Sequence, residues 1–148
     1  MAAVADIRQG LVTNLRTKFA VSDFQISGYT LSAPTPPCFD IELAGSGVTY
    51  DQSMTRGYDE WVFTIRALVP KTADIGSQVT LDYMIDASGE LSVKEALESD
   101  TTLGGVVDAL KVTNVTGPRT IGVVAQSQPP NVYHGCEWTV ELLARGTS

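Results

Sequence analysis

The sequence contains one histidine, two cysteines and ten basic residues, no two of them adjacent. Each scarcity excludes something. One imidazole and two well-separated thiols cannot close a tetrahedral metal site without carboxylates, and none stand at ligand spacing, so no metal and no cofactor are expected. Lys and Arg number 10 against 17 Asp and Glu, a net charge of −7. That balance leaves no basic patch to neutralise the phosphates of a duplex. No apolar run approaches the roughly 18 residues that cross a membrane. The opening "MAAVADIRQGLVTNLRTKF" lacks the basic-then-apolar order of a secretory signal. A soluble protein of a cytosol is therefore expected.

In "CFDIELA" the apolar set Phe39, Ile41 and Leu43 leaves Cys38 on the other face with Asp40 and Glu42, pointing outward. In "CEWTVELL" Cys136 shares the inward face with Trp138, Val140 and Leu142. Two free thiols follow, as suits a reducing compartment.

What is present is enough apolar material, 43% of 148 residues, to fill the core of a single domain spanning residues 1–148. Val4, Ile7, Leu11 and Leu15 step by three and four, with Arg8, Asn14 and Arg16 off the stripe. This predicts a helix over about 4–18. "FQISGYTLS" and "CFDIELA" read as strands of a meander. Gly45 to Asp59 shows neither helical nor strand period and is expected to be a long loop. "EWVFTIRALV" alternates Trp61, Phe63, Ile65, Ala67 and Val69 and reads as a central strand. Asp74 can cap a helix reaching about Asp86, with Leu81, Met84 and Ile85 inward, although Ile75, Val79 and Tyr83 form a competing stripe.

Ser92 and Glu95 stand in the S-x-x-E relation of a reciprocal capping box, with Val93, Ala96 and Leu97 as the buried side of a short helix. Gly104 and Gly105 permit a tight reversal or a close backbone approach. "LKVTNVT", "RTIGVVAQ" and "YHGCEWTVELLA" read as three further strands. The expected fold is α+β, a mainly antiparallel sheet with helices packed on one face.

Nothing in these segments reads as a catalytic constellation. His134 has no nucleophile placed beside it, and neither glycine cluster has the ending of a phosphate loop. Asp82 and Asp86, at i and i+4 near a helix C-terminus, form either a solvated face or a contact that a partner's Lys or Arg would relieve. Tyr50, Asp51, Met54, Arg56, Tyr58 and Asp59 bring aromatic, charged and flexible residues together, as contact surfaces do. These eight residues, with Gly104 and Gly105, are the candidate interface. A small enzyme using Asp82, Asp86 or His134 is the rival from another class.

The order "MAAVADIRQGL", "WVFTIRALV", "SVKEALESDTTLGGVVDALKVTNV" and "YHGCEWTVELLA" resembles the tail terminator proteins of long-tailed bacteriophages, especially those of actinobacteria. The likeness runs from Ala2 to Ala144, departing at the long join "RTIGVVAQSQPPNVYHG". It implies a structural, non-enzymatic virion protein of the tail and neck, assembled in the bacterial cytoplasm. The implied partners are further copies in a ring, expected to be of six, the tail tube protein, and a head-side connector or stopper. Genomic DNA would pass through the lumen without specific binding, and no membrane is involved.

Overall fold

The computed structural model describes residues 4–19, 24–29, 37–49, 58–69, 74–123 and 131–145. In chain order the elements are α1 (Val4–Leu15), β1 (Gln25–Ile26), β2 (Cys38–Thr49), β3 (Tyr58–Val69), α2 (Asp74–Ile85), α3 (Val93–Leu97), β4 (Ala109–Val123) and β5 (Asn131–Arg145). One five-stranded sheet runs in the order β1-β2-β3-β5-β4. The fold is α+β, but the sheet is mixed. β1 pairs parallel with β2, Gln25 opposite Cys38, where a meander was expected. Parallel neighbours cannot be joined by a tight hairpin. The other pairings are antiparallel.

Period-two alternation in β3 and β5 sorts the side chains as expected. Phe63, Ile65, Ala67, Cys136, Trp138 and Val140 share a core with Ile7, Leu11 and Leu15 of α1, Leu81 and Met84 of α2, and Val93, Ala96 and Leu97 of α3. All three helices therefore cover one side of the sheet. The rings of Phe19, Phe24 and Phe39 meet at centroid separations of 4.8–5.6 Å, tying the end of α1 to β1 and β2.

Three sequence boundaries are corrected. β2 continues to Thr49 and β3 begins at Tyr58, so both ends of the expected 45–59 loop are strand. Val48 and Thr49 pair with Trp61 and Glu60 after a register shift that takes up the glycine-rich stretch. "LKVTNVT" and "RTIGVVAQ" are not two strands, because β4 runs from Ala109 to Val123. Its register shifts between Thr116 and Arg119, with Gly117 at φ +111°. A bulge on an edge strand accommodates Pro118, whose missing N–H costs no ladder bond there. In α2 the stripe with Leu81 and Met84 wins the core, leaving Val79 and Tyr83 exposed.

Two polar residues of α1 that the helical period placed outward turn inward instead. Asn14 is buried and donates through Nδ2 to the carbonyls of Leu97 (2.8 Å) and Asp100 (3.0 Å). Arg8 donates to the carbonyls of Gly28 (2.6 Å) and Ile41 (2.9 Å) and lies 4.6 Å from the centre of the Tyr29 ring.

A close approach, one of the two roles open to Gly104 and Gly105, is found at Gly10. A Cβ built there would stand 2.8 Å from the Cβ of Leu103. Alanine ordinarily stabilises a helix interior by about 1 kcal/mol over glycine. Overpacking of a fixed core commonly costs about 1–3 kcal/mol. Gly10→Ala is thus expected to lower the unfolding midpoint in urea, and a raised midpoint would mean that Leu103 gives way freely.

Candidate functional site

The segment from Ser92 to Val115 links the helices to the sheet. Ser92 caps α3, its Oγ accepting from the Glu95 N–H at 3.2 Å and donating to the Asp86 carbonyl at 2.6 Å. The expected box is only half formed. Glu95 Oε2 accepts from the Gly89 N–H at 2.9 Å instead of returning to the Ser92 amide, which donates to the Gly89 carbonyl. Lys18 reaches the same corner, donating to the Gly89 carbonyl at 2.9 Å and standing 3.6 Å from Glu95 Oε1. At the other end of α3, Glu98 Oε2 accepts from the Val112 N–H at 3.1 Å and so fastens the helix to β4.

Three carboxyls here sit below their ordinary range. For Glu95 the Gly89 amide is the main cause, followed by Lys18. For Glu98, burial pushes upward, but Lys94 and the Val112 amide outweigh it. Asp100 is held down by the amide and hydroxyl of Thr102 and then by the Gly104 amide. Carboxyls depressed in the folded state stabilise it above their unfolded values, and that stability is lost as pH falls through the folded ones. The urea midpoint should hold from neutrality to about pH 5 and fall below about pH 4. In Asp100→Ala the acid-dependent loss should be smaller, and an unchanged pH profile would remove Asp100 from this role.

Gly104 and Gly105 adopt φ of +70° and +94° with nothing within 4 Å of a built Cβ. They serve the reversal and not a close approach within the chain. Leu103 precedes them, buried, with φ +51°.

The remaining candidate interface residues do not gather in one place. Tyr50, Asp51, Met54 and Arg56 lie outside the described residues. Tyr58 and Asp59 belong to β3, opposite Arg145 and Ala144, and Asp59 is half-buried. Asp82 is exposed on the outward side of α2, and Asp86, also exposed, lies just past the helix end at Ile85. His134 is buried in β5, opposite Val69 and Thr120, on the same side of the strand as Cys136. An exposed helix face and a buried strand position do not converge on one cleft. Among the described residues no three His, Cys, Asp or Glu side chains cluster to hold a metal ion. No described helix is long and apolar enough to cross a membrane.

Both cysteines are free and lie on opposite sides of the sheet, yet Cys38 is buried and not solvent-facing as expected. It packs with Leu68 and Tyr133 in a second, small apolar cluster. Its thiol is pushed up to about 11 by burial and then by the charge of Asp40. Asp40, itself buried, pairs with Arg66 through Nε–Oδ1 at 3.1 Å and a second contact from Nη2 to Oδ2. Strand alternation puts Glu42, Glu60, Glu137 and Glu141 on this same helix-free side. Lys111, opposite Glu141, is an exposed cation there. Composition alone showed the acidic excess, but only the strand order gathers these carboxylates on one surface.

No family model matches the chain, and no curated protein sequence matches it.

Proposed function

We propose that the chain is a structural subunit of the neck of a long-tailed phage. It closes as a ring, expected to be of six, on the upper end of the tail tube, ends tube polymerisation and meets the head-side connector. What carries this reading is the resemblance of the order of sequence features to that of tail terminators, from the first helix through the capped α3 to the aromatic and acidic last strand. The bonds made by Asn14, Lys18 and Glu98 support a scaffolding role for the central part of that order. The acidic helix-free side of the sheet supports the conduit, since a lumen lined by carboxylates repels DNA phosphates instead of retaining them. A head-side adaptor or stopper and a tube subunit are the alternatives within the same class.

The test adds the purified chain to polymerising tail-tube protein and measures tube length by electron microscopy. Shorter tubes with capped ends are expected. Long tubes formed by this chain alone would make it a tube subunit, because a head-to-tail contact that does not close continues as a filament. Tubes of unchanged length would move it to the head side of the neck.

A further inference from the structure

We propose that the outward face of α2, with the cavity at its C-terminal end, is a docking surface for a segment of a partner protein that inserts an arginine beside an apolar side chain. Helix α2 already buries Leu81 and Met84 against the sheet. Its opposite stripe carries Val79, Asp82 and Tyr83, with Val79 44% and Tyr83 58% exposed, and Asp86 follows directly on its last residue. Two large apolar side chains one turn apart are thus left about half open to solvent. The stripe leads into a cavity of about 420 Å³ lined by Tyr83, Asp86, Ser88, Gly89, Glu90 and Leu91.

Charge selects the occupant. None of the described lining residues is basic, the nearby Lys18 being engaged by the Gly89 carbonyl and Glu95; the last turn of α2 has no basic residue, and the carboxylates of Asp86 and Glu90 are exposed. The carbonyl end of the helix adds partial negative charge at the same place. Carboxylates alone would be an ordinary solvated surface; an exposed aromatic ring leading into a concave site makes this one a groove. A cation is favoured there, and a planar one can stack on Tyr83 while its N–H fork meets a carboxylate, which is arginine chemistry and not lysine chemistry. The inference stands apart from the tube-capping reading, since it concerns the chemistry of the inserted segment and not where the chain sits in an assembly.

The test titrates the full ¹⁵N-labelled chain with acetyl-Leu-Arg-amide and with its neutral isostere acetyl-Leu-citrulline-amide. The arginine peptide is expected to shift the amides of Tyr83 to Leu91 saturably, and the citrulline peptide to bind about tenfold more weakly. Tyr83→Leu keeps apolar area but loses the ring face, and Asp86→Asn with Glu90→Gln removes the charge. These side chains are exposed, so both variants should keep native shifts elsewhere and each should weaken the arginine peptide several-fold. Equal response to the two peptides, a response outside residues 79–91, no saturable response, or native binding by both variants would overturn the proposal.

Discussion

Trp138→Ala is expected to lose about 3–5 kcal/mol, a large part of the roughly 5–15 kcal/mol that holds a domain folded. Trp138 is 1% exposed and heads the largest fully buried side chains. It sits in β5 between Ile65 of β3 and Val115 of β4, on the side that the helices cover. Removing it opens a void at the join between the sheet and the helices. Collapse is resisted because the flanking strands are held by their own ladders. Denaturant unfolding followed by far-ultraviolet circular dichroism measures the loss. A change below about 1 kcal/mol would mean that the indole is not closely packed. Trp61→Ala, at a buried position of β3, falls in the same range.

Asp40→Ala should cost about 3 kcal/mol, more than removing an exposed ion pair. The effect comes from what remains, an Arg66 side chain 19% exposed whose guanidinium has lost its paired carboxylate. Glu137, opposite Arg66 on β5, is close enough in register to take up part of that charge and hold the loss near this value. The double change Asp40→Leu with Arg66→Leu should recover most of the stability, because it leaves no buried charge behind. A double variant as unstable as Asp40→Ala would show that the pair matters through its shape and not its charge. Cys38 gives a second readout. Its thiol stays protonated at neutral pH, mainly through burial, so alkylation in the native protein should be slow and should quicken as Asp40→Ala opens the small cluster around Leu68.

The sequence by itself determined what local periodicity can carry. The apolar steps Ile7, Leu11 and Leu15 and the alternation from Trp61 to Val69 identify α1 and β3, because burial of one face leaves its period in the chain. The Ser92 cap was legible because its partners Glu95 and Asp86 lie within a few residues, and Val93, Ala96 and Leu97 because they recur on one side of a helical turn. Tertiary structure alone decided the rest. Asn14 and Arg8 read as solvent residues because their acceptors, the carbonyls of Leu97, Asp100, Gly28 and Ile41, lie far along the chain. Gly10 is a contact glycine only because Leu103 comes to rest against it. Pro118 looked like the end of a strand because nothing local says that β4 lies at the sheet's edge, where a bulge tolerates proline. Two stripes of α2 competed in sequence, Leu81, Met84 and Ile85 against Ile75, Val79 and Tyr83. The sheet chose Leu81 and Met84 and left Val79 and Tyr83 facing outward, because a helix packed on one layer can bury only one of its sides.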